Sequence, residues 1–171
     1  MTTKDQPLRG AVIFDRDGVL NVNVGYAHRP DQIAWIEDAA AAVKAVNDAG
    51  LFAFVATNQS GVARGYYSEA DVEALHAWMA AELASLGARI DAFVYCADHP
   101  DQASDRRKPG PGMILELMAR FPVDPARTVM VGDFDTDIQA ARAAGIAGVK
   151  FEGGSLMAFL APVLEHIAAL P

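Results

Sequence analysis

Ala11-Val12-Ile13-Phe14-Asp15-Arg16-Asp17-Gly18-Val19-Leu20-Asn21 is the stretch on which the fold turns. Ala11–Asp15 is a continuous apolar run that stops on a carboxylate, and a second acid and a glycine follow at once. A short run without polar alternation reads as a strand buried on both faces, as in a parallel sheet covered by helices. Four more runs of this kind follow: Leu51–Thr57, Ala92–Cys96, Thr128–Gly132 and Gly148–Phe151. Between and after them lie helical patterns over Glu37–Ala49, Ser68–Leu86, Gly112–Phe121, Asp135–Ala144 and Ser155–Leu170. Ser68 with Asp71 forms a capping-box start, and Gly50, Gly87 and Gly145 stand where helices stop. Strands alternating with helices predict an α/β fold: an open, doubly wound, Rossmann-like parallel sheet. Its ligands bind beyond the carboxyl ends of the strands. Two connections, Arg16–Ile36 and Ala97–Pro111, are longer than a plain turn needs, and long loops in compact domains carry function.

The 171 residues show no repeat, low-complexity tract or linker, so one domain over residues 1–171 is expected. With 52 % hydrophobic and 21 % charged residues the chain is a globular protein and not a disordered one. A single cysteine, Cys96, cannot form an internal disulfide and fits a reducing cytoplasm. The formal charge of −8 argues against nucleic acid or an anionic membrane as partner, so an anionic ligand needs a local basic cluster. Met1–Arg9 lacks the apolar core of a signal peptide, and the apolar stretch Leu156–Leu170 is too short to span a bilayer. A cytoplasmic monomer acting on a small molecule is expected.

Four strand ends carry candidate chemistry. Asp15 and Asp17, two residues apart before a glycine, can chelate Mg²⁺, although Asp-x-Asp alone is better read as a solvated turn with a helix cap. Thr57-Asn58-Gln59-Ser60-Gly61 offers hydroxyl, amide and backbone donors suited to an oxyanion, or a polar strand-to-helix turn. Arg106-Arg107-Lys108-Pro109 is a basic cluster in an acidic chain, and basic runs are commonly solvated loops. Gly132-Asp133-Phe134-Asp135-Thr136-Asp137 sets a carboxylate at the sheet edge, with Asp135 expected as the cap of the next helix. Each signal is ambiguous alone, yet all four fall at carboxyl ends of one sheet. Acids, a hydroxyl and a lysine converging there are what metal-assisted phosphoryl transfer through an aspartate needs.

Asp15-x-Asp17-Gly18-Val19, Thr57, Lys108 and Gly132-Asp133-x-x-x-Asp137 resemble the four motifs of the haloacid dehalogenase superfamily, in order and over nearly the whole chain. The short insertions resemble its capless branch. Asp15–Asn21, Gly25-Tyr26, Thr57–Gly65 and Arg107-Lys108-Pro109-x-Pro111-Gly112-Met113 are similar to the D-glycero-D-manno-heptose 1,7-bisphosphate 7-phosphatases, with histidinol-phosphate phosphatases as close relatives. The resemblance implies an Mg²⁺-dependent phosphatase in which Asp15 is the nucleophile and Asp17 the general acid and base. Thr57 and Lys108 would stabilise the phosphoryl oxygens, and Asp137 would orient Lys108. Mg²⁺ would be held by Asp15, the Asp17 backbone carbonyl and Asp133. Asn23, Gly25, Tyr26, Asn58, Gln59, Ser60, Arg64 and Arg107 would meet the rest of the sugar phosphate. Members of both families usually carry a zinc-stapled loop after the third strand. Here only Cys96 of that cysteine set remains, with Asp98, Ser104 and Arg106 at the other ligand positions, so zinc is not expected. Phe134 departs too, standing where some heptose phosphatases have a lysine.

Trp35, Trp78, Met79 and Met118 read as packing residues, and His28, His76 and His166 as surface or interface histidines. A receiver-like signalling domain also uses an acid pair, Thr and Lys, but would need an aspartate on the third strand, which here ends in Tyr95-Cys96. A nucleic-acid-end phosphatase is disfavoured by the charge.

Overall fold

The protein is described by a computed structural model over residues 6–171. Five strands, β1 (Arg9–Phe14), β2 (Phe52–Asn58), β3 (Ala92–Cys96), β4 (Val123–Gly132) and β5 (Ala147–Lys150), pair in parallel in the order β3-β2-β1-β4-β5. The intervening helices are α1 (Ala39–Asp48), α2 (Glu69–Ser85), α3 (Gly112–Arg120), α4 (Asp135–Ala143) and, after β5, α5 (Leu156–Ala169). Successive residues of β1 point to opposite faces, which is why Ala11–Phe14 are all apolar. Val12 and Phe14 pack with Ala42, Val43 and Val46 of α1 and Leu156 and Leu160 of α5. Ala11 and Ile13 pack with Met113, Ile114 and Leu117 of α3 and Ala140 and Ala141 of α4.

The order reverses at β1, which has β2 and then β3 on one side and β4 on the other. At such a switch point the adjoining connections diverge to opposite faces and leave a crevice at the carboxyl ends. Asp15 and Asp133 are the residues that follow β1 and β4 there. The fold alone therefore brings together two acids 118 positions apart in the chain.

The expected helices appear within two residues of their bounds, and Ser68 accepts from the Asp71 N–H while Asp71 Oδ2 accepts from the Ser68 N–H. Three expectations need correction. β4 starts at Val123, not Thr128. Arg9 pairs with Val123 and the register then shifts, and the polar insert closes on itself as Thr128 Oγ1 donates to the Asp124 carbonyl. Asp135 does not cap α4: it lies in the first turn and takes the Lys150 ammonium at 2.7 Å, while Asp137 Oδ2 accepts the Phe134 N–H. His76 is buried rather than superficial. The two long connections hold only short 3₁₀ turns, Pro30–Gln32 and Pro100–Gln102, and no additional domain. Among the described residues no helix is long and apolar enough to cross a membrane.

Candidate active site

At the end of β1 the Asp15 N–H still donates to the Val131 carbonyl, so the sheet fixes the position of Asp15. Its Oδ1 accepts from the Arg16 N–H at 2.8 Å and from Lys108 Nζ at 3.0 Å. Lys108 also reaches Asp137 Oδ1 at 2.6 Å and the Ala56 carbonyl at 2.9 Å. Three acceptors meet the three ammonium protons, which permits a lysine only 4 % exposed. Asn58 secures the lysine backbone from β2: its Nδ2 donates to the Lys108 carbonyl and its Oδ1 accepts the Lys108 N–H, each at 3.1 Å. Asp133 comes close because residue 18 is glycine. A Cβ there would overlap the Asp133 carboxylate, and its φ of +90° is one that L side chains rarely adopt.

Asp15, Asp133 and Asp137 each offer an oxygen within 4.8 Å of the others. Burial, against the opposing pull of Lys108, raises the Asp15 carboxyl to about 7, with Asp137 and Asp133 adding to the rise. Burial also raises Asp133. On Lys108 burial acts downward, but Asp15 and Asp137 outweigh it and hold the ammonium above the ordinary lysine range. Asp133 Oδ1 is buried without a hydrogen-bond partner, while both Asp137 oxygens are engaged by Lys108 and the Phe134 N–H. A hard divalent cation fits this set through Asp15 and the free Asp133 oxygen.

Asp17 lies beside this cluster, about one-fifth exposed at the side chain. Its Oδ1 accepts from Arg16 and from Asn21 Nδ2 at 3.0 Å, and its Oδ2 accepts from Gln59 Nε2 at 3.0 Å. Gln59 Nε2 also donates to Thr57 Oγ1 at 2.9 Å, and its Oε1 accepts from Tyr67 Oη at 2.7 Å. The Gln59 amide is thus committed to the protein, linking the acid pair to the hydroxyl. A cleft of about 470 Å³ opens over these groups. Of the expected site residues, Asp15, Asp17, Asn23, Gly25, Tyr26, Thr57, Asn58, Gln59, Ser60, Arg107, Lys108 and Asp137 line it. Asp133, half-buried, and Arg64, exposed, are not among the residues that line it. Tyr26 has a left-handed backbone, φ +51°, and meets Tyr66 edge to face at 4.9 Å.

Three contributors escape the sequence reading. Thr136, with Phe134 beside it, lines the cleft from the start of α4. Arg16 is wholly buried behind Asp17, and His76 is buried against Arg16. His76 did carry a signal: with Val72, Leu75, Met79 and Leu83 it falls on the buried stripe of α2. At the usual zinc-loop positions, Asp98 Oδ2 accepts from the Ser104 N–H and hydroxyl, and Arg106 pairs with Glu116 and donates to the Tyr95 carbonyl.

A parallel sheet with this acid–lysine cluster at its switch point defines a haloacid dehalogenase-type phosphatase, a phosphoric monoester hydrolase, and the HAD-hydrolase-like family model matches residues 105–158. The chain is 46 % identical over 169 residues to the D-glycero-β-D-manno-heptose-1,7-bisphosphate 7-phosphatase of Rhodopseudomonas palustris, covering 95 % of this chain and 94 % of the relative. It is 40 % identical over 143 residues to the Escherichia coli K12 enzyme of that name, covering 80 % of this chain and 75 % of the relative. The chain belongs to the D-glycero-β-D-manno-heptose-1,7-bisphosphate 7-phosphatase family. Its fold matches a D,D-heptose 1,7-bisphosphate phosphatase from B. bronchiseptica, solved with magnesium and phosphate. That match has a TM-score of 0.82 and 32 % identity, and covers 92 % of this chain and 99 % of the other. A HAD-like phosphatase of Mesorhizobium loti matches with a TM-score of 0.86 at 30 % identity, over 95 % and 88 % of the two chains.

Proposed function

We propose that this chain, acting as one domain, removes the 7-phosphate of a heptose 1,7-bisphosphate through an aspartyl-phosphate at Asp15. The observation that carries this reading is the buried contact of Asp15 with Lys108, backed by Asp137, at the sheet's switch point. An Asp15 oxygen attacks phosphorus as the bond to the sugar oxygen breaks, and Asp17 gives that oxygen a proton. Water then attacks the aspartyl-phosphate, Asp17 takes the water proton, and inorganic phosphate leaves. Thr57, and Lys108 on exchanging one of its three acceptors, meet the phosphoryl oxygens. Arg107, a cleft-lining cation, suits the second phosphate, and Asn23, Gly25, Tyr26, Asn58 and Ser60 suit the sugar hydroxyls.

Mg²⁺ would be held by Asp15, Asp133 and the Asp17 backbone carbonyl, a reading supported by the unpartnered Asp133 oxygen. When bound, the cation offsets the repulsion between a carboxylate nucleophile and an anionic phosphate, and it favours the ionised form of an acid that burial otherwise raises to about 7. The test is phosphate release from heptose 1,7-bisphosphates and histidinol phosphate. A higher kcat/KM on a heptose bisphosphate, with phosphate lost from C7, is expected; a higher value on histidinol phosphate overturns the substrate assignment.

A further inference from the structure

Arg16 is the largest fully buried side chain among the described residues, at 0 % exposure. A buried guanidinium is costly unless its donors are met and its charge is paired. Asp17 supplies both. Arg16 Nε reaches Asp17 Oδ1 at 3.3 Å, and Nη2 reaches Oδ1 at 3.1 Å and Oδ2 at 3.0 Å. Nη2 also donates to the Ala27 carbonyl at 2.8 Å, which ties the loop bearing Asn23–Tyr26 to the same group. The remaining nitrogen, Nη1, faces His76 Nε2 at 3.3 Å. Arginine can only donate, so Nε2 is the acceptor and the imidazole carries its proton on Nδ1. Burial, with the Arg16 charge beside it, lowers His76 to about 3, so the ring is neutral as this contact requires. Its plane is fixed by a stack on Phe93 at 4.7 Å between centroids.

We infer that Arg16 is a positioning residue for the Asp17 carboxylate, and that His76 on α2 holds the guanidinium in the orientation this needs. The contacts on the two oxygens are unequal. Oδ1 takes Arg16 Nε, Arg16 Nη2 and Asn21 Nδ2, whereas Oδ2 takes Arg16 Nη2 and Gln59 Nε2. Oδ1 is the more heavily held oxygen, and because Arg16 reaches both oxygens it fixes the plane of the carboxylate. A lysine at position 16 would keep the charge and lose the planar fork that sets the carboxylate plane. The inference rests on the acid–base role proposed for Asp17.

The test uses full-length His76→Phe, His76→Gln and Asp17→Asn, separately and with His76→Phe combined with Asp17→Asn. Phenylalanine keeps a ring against Phe93 but offers no acceptor; glutamine restores one. Release of the leaving group is measured in single turnovers, enzyme in excess, on a heptose bisphosphate and on p-nitrophenyl phosphate. The aryl oxyanion needs little protonation, so loss of a well-placed acid slows the sugar ester selectively. His76→Phe should lose about tenfold or more on the sugar ester and about threefold or less on the aryl ester, with His76→Gln near wild type on both. In the Asp17→Asn background His76→Phe should add almost nothing, because residues acting through one group are not additive. Selective loss for Asp17→Asn with equal losses for His76→Phe on the two esters, or full additivity between them, overturns the inference alone. Equal losses for Asp17→Asn itself remove the acid–base role and this inference with it.

Discussion

Lys108 Nζ stands 2.6 Å from Asp137 Oδ1, and both side chains are almost wholly withdrawn from water. The same ammonium holds Asp15 at 3.0 Å, so one cation balances carboxylates contributed by β1 and α4. Lys108→Met would leave Asp15, Asp133 and Asp137 crowded within 4.8 Å with no counter-charge. Removing one partner of a buried pair costs about 3–5 kcal/mol. The variant should therefore lose stability of that order in metal-free buffer, and recover more with added Mg²⁺ than the wild type does. Its turnover should fall about 10²- to 10³-fold. Denaturant midpoints with and without Mg²⁺ check this, and a stability loss under about 1 kcal/mol would contradict the balancing role.

Chelation separates the proposed Mg²⁺ from any metal in the loop after β3. Turnover should vanish after exhaustive chelation and return with Mg²⁺ alone. Asp133→Asn should weaken that recovery, raising the Mg²⁺ needed about tenfold or more. Zinc content should stay well below one per chain, since Asp98 is engaged by Ser104 and Cys96 is buried with its thiol pushed up by burial. Full activity in chelator, or near one zinc per chain by elemental analysis, contradicts the corresponding half.

His76 gives the fold an acid-side weakness. Its folded value of about 3 lies below the ordinary 6.5, so between those values the unfolded chain binds a proton that the folded chain does not. Stability therefore falls as pH drops through that window, by about 1.4 kcal/mol per unit, or roughly 2 kcal/mol between 6.5 and 5. His76→Gln removes the titration and should lose correspondingly less stability from pH 7 to pH 5. Parallel pH–stability curves for the two proteins contradict the burial argument.

The centre of the sheet was legible because Ala11–Phe14 and Phe52–Thr57 are buried on both faces and so must be almost wholly apolar. Asp124–Arg127 hid the start of β4, because an insert in which Asp124 takes the Ala126 N–H and the Thr128 hydroxyl turns back on itself and looks like a loop. Asp15, Asp133 and Asp137 announce themselves as acids at strand ends or a helix start, and Lys108 as part of a basic run in an acidic chain. Arg16 and His76 do not: a charge inside a protein is readable only once its partners are known, and His76 lies 60 positions away from Arg16. Asp135 was mistaken for the cap because its sequence position suits that role as well as Asp137's does. The choice rests on Lys150, which β5 brings to Asp135.

The loop after β1 supplies a further prediction. Tyr26 is held at φ +51° beside Tyr66, and its carbonyl lies 2.8 Å from His28 Nδ1. A non-glycine residue in that region costs of order 1–3 kcal/mol. Tyr26→Gly should relieve that strain, offset by glycine's greater unfolded-chain entropy and the lost Tyr66 contact, and should remove a cleft wall, raising KM for the sugar ester about three- to tenfold with little net change in folding stability. An unchanged KM would show that the ring does not meet substrate.

The direct test of the proposed chemistry is to catch the phosphoryl group on Asp15. Asp17→Asn keeps the nucleophile, and an aryl leaving group needs little protonation, so with p-nitrophenyl phosphate the first step should proceed. The second step, without its base, should slow by about 10²- to 10⁴-fold. Acid quenching during turnover should then give one phosphoryl group per chain on the peptide bearing Asp15. A burst of nitrophenol with no protein-bound phosphate, or phosphate on any other residue, would contradict Asp15 as the nucleophile.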